Sequence, residues 1–314
     1  MTNYDASLPA LNIGVAIDAA SKHLVTVRDV VRFAVSRFGE AHLAFGHGNG
    51  SSLDEAAYLV CHALALPLDR LDSFLDARLL PEEIDRTLRL IRRRLVERIP
   101  AAYLTGEAFL GEYRFHIDER VIVPLSYIAH WLMADTSAWL PAPERIRDAL
   151  ELCTGSACLA IILALALDDA MVTAVDISAP ALQVAQRNVA DYGLQERVTL
   201  CRGDLFDAIE PSSRFDLIVS NPPYVTEESM ARLPAEYRHE PQIALAGGDD
   251  GLVFVRRILA QSRIHLKPKG TLIVEVGHAR ERVEAAFPDL PFTWLDVDGV
   301  DDAVFLLTRE QLPA

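Results

Sequence analysis

Apolar residues return every three or four positions in the first third of the chain, whereas further on short apolar runs alternate with such stretches. Val25, Val27, Val30, Val31, Phe33 and Ala34 form one helical stripe, and Ala56, Leu59, Val60, Ala63 and Leu64 form another. The spacing predicts helices across residues 22 to 98, one of them beginning near Ser52, where Ser-Leu-Asp-Glu has the form of a capping signature. Phe45 to Ser51 reads as the intervening loop, with His47 as an exposed loop histidine. Residues 107 to 123, with Phe109, Tyr113, Phe115, Val121 and Val123 around Gly111 and Asp118-Glu119, read as a β-hairpin joining two domains. Apolar runs near 148, 172, 198, 215, 271, 292 and 303 then predict seven strands of a doubly wound α/β sheet. The final two have no long helical pattern between them and are expected to pair as an antiparallel hairpin. The domains expected are a helical one over 1–106, a hairpin linker over 107–124 and a sheet domain over 125–314.

Candidate chemistry gathers where these predicted strands end. Directly after the run Phe215 to Ser220 stands Asn221-Pro222-Pro223-Tyr224. The Asn221 side-chain oxygen and the Pro222 carbonyl can each accept a hydrogen bond from a flat, non-basic NH2 group, and the prolines stiffen the turn and lack N–H donors that would compete. Tyr224 offers an aromatic face to a planar amide or base. Glu151-Leu152-Cys153-Thr154-Gly155-Ser156-Ala157-Cys158 reads as strand end, small-residue turn and helix start, which lets a ligand approach the backbone. The next predicted strand ends at Asp176, suited to accepting from ribose hydroxyls, and the third in Arg202-Gly203-Asp204-Leu205-Phe206. There Asp204 can accept from an adenine amino group, with Leu205 or Phe206 lining its face. A Gly-rich turn plus an acid alone does not separate a nicotinamide cofactor from S-adenosylmethionine. Ala157 and Ala160 at the second and third glycine places leave less room for a pyrophosphate, which favours the latter.

Taken together, Glu151 to Cys158, Asp176, Asp204 and Asn221 to Tyr224 resemble the motifs of class I S-adenosylmethionine-dependent methyltransferases that modify exocyclic or amide nitrogen. Pro100-Ala101-Ala102-Tyr103-Leu104-Thr105-Gly106 and Ala244-Leu245-Ala246-Gly247-Gly248-Asp249-Asp250-Gly251-Leu252 narrow this to the glutamine side-chain amide methyltransferases. Tyr237-Arg238-His239-Glu240-Pro241 and Phe292-Thr293-Trp294-Leu295 are similar to the branch that methylates a glutamine of the third large-subunit ribosomal protein. The resemblance spans residues 20 to 312. It implies a seven-stranded Rossmann-like sheet, an N-terminal helical domain that binds the protein substrate, S-adenosylmethionine as cofactor and no metal. The residues it implies at the cofactor are Glu151, Thr154, Gly155, Ser156 and Ala157 for the methionine portion, Asp176 for ribose, Asp204 and Leu205 for adenine, and Asn221. At the target glutamine it implies Asn221, Pro222, Pro223 and Tyr224, of which Asn221, Pro222 and Tyr224 would serve catalysis.

Departures from the family pattern cluster. Leu125 stands where an arginine is usual, Tyr127 where a proline is, His130 replaces an acidic residue, and Ala157 replaces a glycine, adding a methyl expected near the methionine moiety. Leu125, Tyr127 and His130 are expected to face the cofactor's exposed edge. Two other classes share part of this pattern: a nucleic-acid amino-group methyltransferase and a non-catalytic binding module.

Composition changes the picture in four places. The net charge of −15 counts against a nucleic-acid substrate and suits a basic protein partner. Against that balance, Arg86, Arg89, Arg92, Arg93, Arg94 and Arg98 are interleaved with Leu88, Leu90, Ile91 and Leu95. They read as the solvated face of an amphipathic helix beside Glu82, Glu83, Asp85 and Glu97, with ribosomal RNA contact as the sharper alternative. Cys61, Cys153, Cys158 and Cys201 lack metal-ligand spacing and read as reduced, small apolar residues. With no apolar run of ~18 residues and no signal-peptide pattern at Met1 to Leu11, the expectation is a cytoplasmic chain that does not enter a membrane. His239 invites a general-base role that the chemistry does not require, and the sequence does not decide what Glu275 does.

Overall fold

The computed structural model describes residues 17, 19–46, 48, 50–134, 140, 143–297 and 300–313 of the 314. His47 and its expected exposure lie outside the described residues. The chain forms two compact units, one of Met1–Gly106 with Pro234–His239 and the other of Glu107–Leu233 with Glu240–Ala314.

In the first unit, helix Val27–Glu40 starts at a capping box in which Thr26 and Asp29 satisfy each other's backbone amides. Helix Ser52–Leu64 is capped by the Ser51 hydroxyl, which accepts from the Asp54 amide, so the cap falls one residue before the Ser52 suggested by the sequence. Helix Pro81–Val96 places proline in its first turn, and the short helix Ala101–Thr105 ends at left-handed Gly106. Val30, Phe38, Leu59, Ile91 and Leu95 meet in the core. Each such aliphatic or aromatic side chain contributes about 1.5–3 kcal/mol by leaving water.

The arginine-rich helix is not wholly solvated. Arg94 is fully buried, its Nε 2.6 Å from Glu55 and its Nη1 3.2 Å from Glu236. Arg98 donates to Glu236 at 3.1 Å and to the Ala41 carbonyl at 2.7 Å. The reason is helical phase: Arg94 lies three residues after Ile91, on the stripe that Ile84, Leu88 and Leu95 bury. Arg86, Arg89, Arg92 and Arg93 lie on the exposed side.

The second unit opens with a hairpin of β1 (Glu107–Leu110) and β2 (Tyr113–His116), in which Glu107 pairs with His116. It is shorter than its apolar pattern suggested. Asp118 accepts from both the amide and the guanidinium of Arg120, bending the chain before Val121 and Val123, which are buried outside any strand. Asn188 fastens this hairpin to helix Ala179–Asp191: its side chain exchanges hydrogen bonds with both backbone groups of His116 and donates to the Ser156 carbonyl at 2.9 Å.

The main sheet comprises β3 (Asp148–Leu152), β4 (Met171–Asp176), β5 (Val198–Arg202), β6 (Phe215–Ser220), β7 (Leu266–Glu275), β8 (Thr293–Val297) and β9 (Val300–Thr308), in the order β5-β4-β3-β6-β7-β9-β8. The first five are parallel, and β9 runs antiparallel to both β7 and β8. All seven strands match the apolar runs. Alternation divides their side chains: Ala149, Leu217, Ile273 and Val304 join one core cluster, and Leu150, Ile218, Leu272 and Phe305 the other. The first cluster takes in helices Tyr127–Met133, Cys158–Ala166 and Ala179–Asp191, and the second Val253–His265 and Arg280–Ala286. Both faces are thus covered, as a buried parallel sheet requires. Beyond β3 the chain builds outward through β4 and β5, then returns to lay β6 on β3's other side. That reversal opens a crevice at the carboxyl ends of β3 and β6.

Candidate active site

A cavity of about 230 Å³ lies at those strand ends, wholly within the second unit. Cys153 and Gly155 from the turn after β3, Asp176 from β4, Asp204 and Leu205 from beyond β5, and Asn221 and Pro223 from beyond β6 all line it. Four separate stretches of sequence therefore converge on one site.

The turn after β3 is tightly wound. Cys153, Gly155 and Ala157 have φ of 63°, 56° and 61°, and Leu205 across the cavity has 54°. Left-handed backbone at non-glycine residues is costly and tends to be held where function needs it. Asp176 braces the turn: Oδ2 accepts from the Gly155 amide at 2.8 Å and Oδ1 from the Ser178 amide at 2.8 Å. Each oxygen retains a lone pair for a hydroxyl donor. Burial raises the Asp176 carboxyl, while these amides oppose the rise. Glu151, at the end of β3, is almost fully buried and accepts from the Thr154 hydroxyl. Burial pushes its carboxyl up to about 8, so a cation beside it would favour ionisation.

Two arginines line the cavity, and each is already paired. Arg257 lies 2.9 Å from Asp204, and Arg120 lies 2.6 Å from Asp118. Asp176 is left as the uncompensated charge beside an apolar lining of Val175, Ile177, Ile243 and Phe254. A flat ring with a positively charged tail and ribose hydroxyls fits this lining better than a pyrophosphate does.

Asn221 Nδ2 donates to the Leu125 carbonyl at 3.2 Å. Since that carbonyl can only accept, the amide's nitrogen must face it, which leaves Oδ1 available as an acceptor toward the cavity that Asn221 lines. Pro222 and Pro223 are buried and Tyr224 is half-buried. Two glycines let other loops press on this turn. A Cβ on Gly247 would stand 2.7 Å from Tyr224 Cα, and one on Gly277 would stand 2.8 Å from the Tyr224 ring. The Ala244 to Leu252 motif thus backs the tyrosine, with Val225 and Ala246 forming a parallel bridge beside it.

These features accompany clear relatives. Residues 138–236 match the family Methyltransferase small domain, and residues 32–106 match PrmC N-terminal domain. The ribosomal protein uL3 glutamine methyltransferase of Bordetella pertussis is 56% identical over 291 residues, covering 93% of this chain and 97% of that protein. The protein of that name from Neisseria meningitidis serogroup A is 54% identical over 300 residues (96% and 98%). Its counterpart in Bradyrhizobium diazoefficiens is 48% identical over 295 residues (92% and 92%). The chain belongs to the ribosomal protein uL3 glutamine methyltransferase family.

Seen as a member of that family, the chain places several expected residues away from the cavity. Glu151, Thr154, Ser156 and Ala157 are buried and do not line the cavity, and Pro222 and Tyr224 likewise lie outside the lining. Phe206 stacks on His265 with ring centroids 4.8 Å apart, so the aromatic lining comes from Phe254 instead. Phe254 and Arg257 went unnoticed in the sequence. They are three residues apart on one face of helix Val253–His265, a spacing that could have drawn attention. Leu125, Tyr127 and His130 do not line the cavity either, and Tyr127 packs against the core. His239 faces the Glu97 carbonyl at 2.8 Å, so that ring nitrogen carries the hydrogen and cannot act as a base.

Ala157 overturns the idea of a methyl crowding the ligand, because its side chain is fully buried in the core. Glycine there would relieve about 1–2 kcal/mol of left-handed backbone. It would also lose about 0.8 kcal/mol of methyl burial and about 0.4–1 kcal/mol through unfolded-chain entropy. Ala157→Gly is therefore expected to leave urea stability within ~1 kcal/mol of the parent and S-adenosylmethionine affinity unchanged by calorimetry. Tighter binding of the variant would restore the crowding view.

Proposed function

We propose that the chain transfers a methyl group from S-adenosylmethionine to the side-chain amide nitrogen of a glutamine in ribosomal protein uL3. The observation that carries the reading is the Asn221-Pro222-Pro223-Tyr224 turn at the end of β6, with an Asn221 acceptor at a cavity whose unpaired charge is acidic. S-adenosylmethionine, when bound, supplies a methyl already activated by its sulfonium, the electron pair of the broken S–C bond staying on sulfur as a neutral thioether. Asp176 would hold the ribose hydroxyls, Asp204 and Leu205 the adenine, and Gly155 the approach of the ligand to the backbone, with Glu151, Thr154, Ser156 and Ala157 shaping the turn.

At the acceptor, Asn221 Oδ1 and the Pro222 carbonyl would each take one N–H of the glutamine amide, and Tyr224, which follows Pro223 and is backed by Gly277, would pack on its plane. Held this way, the nitrogen can rotate out of conjugation and present its lone pair, and the proton it loses goes to water after the new N–C bond forms. No general base is required.

The helical unit, extending through residue 106, would recognise the protein substrate, with residues 107–124 leading into the catalytic unit. Any contact with ribosomal RNA would fall to Arg86, Arg89, Arg92 and Arg93, since Arg94 and Arg98 are turned inward. No described helix is long and apolar enough to cross a membrane; with a ribosomal protein as substrate, the reaction would take place in the cytoplasm.

The decisive experiment supplies methyl-labelled S-adenosylmethionine and ribosomal protein from cells lacking this chain. Peptide mass spectrometry should place the label on a glutamine side chain of uL3. Label on a nucleobase or a lysine, or none on protein, would overturn the reading.

A further inference from the structure

Glu275 closes β7 and is 1% exposed, so this carboxyl has been taken out of water deep in the catalytic unit. A buried carboxyl needs hydrogen-bond donors, and Glu275 finds them in a single stretch of chain, residues 126–128. Its Oε2 accepts from the Ser126 hydroxyl at 2.8 Å and from the Ile128 amide at 3.3 Å. Ser126 Oγ in turn accepts from the Ala129 amide at 3.2 Å, so the hydroxyl has a fixed direction: hydrogen toward Glu275, lone pair toward the helix start. The peptide that precedes Ser126 carries the Leu125 carbonyl, and that carbonyl receives Asn221 Nδ2. Two residues beyond Glu275, Gly277 packs under the Tyr224 ring. One strand end therefore supports both side chains of the Asn-Pro-Pro-Tyr turn.

We infer that Glu275 is a positioning residue for the methyl-transfer step, fixing the Leu125 carbonyl through Ser126 and so setting which way the Asn221 carboxamide points. This deepens the proposed function and rests on Asn221 as the partner of the acceptor amide. If the Leu125 peptide turned, Asn221 would lose the acceptor that orients it and could offer its NH2 where an oxygen is needed. Burial pushes the Glu275 carboxyl up to about 7, against the donors from Ser126, Ile128 and Tyr127, so it serves by shape and acceptor lone pairs whether or not it is ionised. Glutamine retains a carbonyl acceptor of the same reach, whereas alanine retains none.

The test uses the full chain with S-adenosylmethionine and uL3, and compares E275A, E275Q, S126A, N221A and the E275A/N221A double variant. E275A is expected to lower kcat roughly ten- to a hundredfold, as misplacement of a reacting group does, with KM and S-adenosylmethionine affinity by calorimetry within twofold of the parent. E275Q should retain kcat within about fivefold. S126A should fall between the two, and it stands in for E275A should that variant not fold. Because Glu275 acts through Asn221, adding E275A to N221A should cost little more than N221A alone. Full multiplicative loss in the double variant, or a parent-like kcat in both E275A and S126A while N221A is crippled, would overturn the positioning role alone. Parent-like activity of N221A would instead bring down the reading of the acceptor site on which it rests.

Discussion

Replacing Asn221 by alanine is expected to lower kcat for uL3 methylation by at least a hundredfold while S-adenosylmethionine binds as before. A displacement of ~1 Å in the attacking atom costs about that much, and alanine removes the acceptor that would fix the amide. Cofactor affinity should survive because the ribose and adenine ends of the cavity belong to Asp176, Asp204 and Leu205, with Asn221 beyond β6, two strands away from β4. Asp176→Ala should give the reverse profile. It strips the Gly155 and Ser178 amides of their acceptor as well as the ribose of its own, so binding should weaken by about 2–4 kcal/mol in calorimetry. The pair of variants separates holding the methyl donor from presenting the acceptor. Should N221A turn over within threefold of the parent, the turn would be packing and the acceptor site would lie elsewhere.

The polar residues at strand ends were readable because a buried parallel strand is an unbroken apolar run, and whatever interrupts it at its carboxyl end faces the crevice. Asp176, Asp204 and Asn221 are of that kind, and all three line the cavity. What lay beyond reach were residues that come to the site from other elements. Phe254 and Arg257 belong to a helix that reads as an ordinary amphipathic one, and nothing local says that its Phe254 face meets the crevice. Glu275 was visible as a charge in an apolar strand, yet its partners lie about 150 residues earlier, at Ser126 and Ile128. Ala157 failed for a different reason. A motif position says which residue type is usual there, whereas the left-handed turn decides where its methyl points.

Arg94 shows the same limit in the helical unit, and its replacement should have the largest effect on stability. Arg94→Met keeps the apolar stem and removes a guanidinium shared by Glu55, Glu236 and the Ala44 carbonyl. Breaking a buried ion pair from one side leaves carboxylates without their counter-charge and costs about 3–5 kcal/mol, far more than an exposed pair such as Arg28 with Asp76 could contribute. Arg94→Lys should recover little, because one ammonium cannot reproduce a planar fork that reaches three partners. The loss should also depend on pH. Burial pushes the Glu236 carboxyl up, but its own amide, the Ala44 amide and Arg94 outweigh that and hold it below the usual range. A carboxyl held low stabilises the fold above its unfolded value and ceases to do so as pH falls through its folded one. The gap between parent and Arg94→Met should therefore be widest near neutral pH and narrow below about pH 4, where protonation of Glu236 takes from the parent a contribution that the variant already lacks. Urea titrations at several pH values, followed by hydrogen exchange in helix Pro81–Val96, measure it. A variant within 1 kcal/mol of the parent at neutral pH would mean that Glu55 and Glu236 are relieved by water or by Arg98, and that Arg94 is not the keystone of this core.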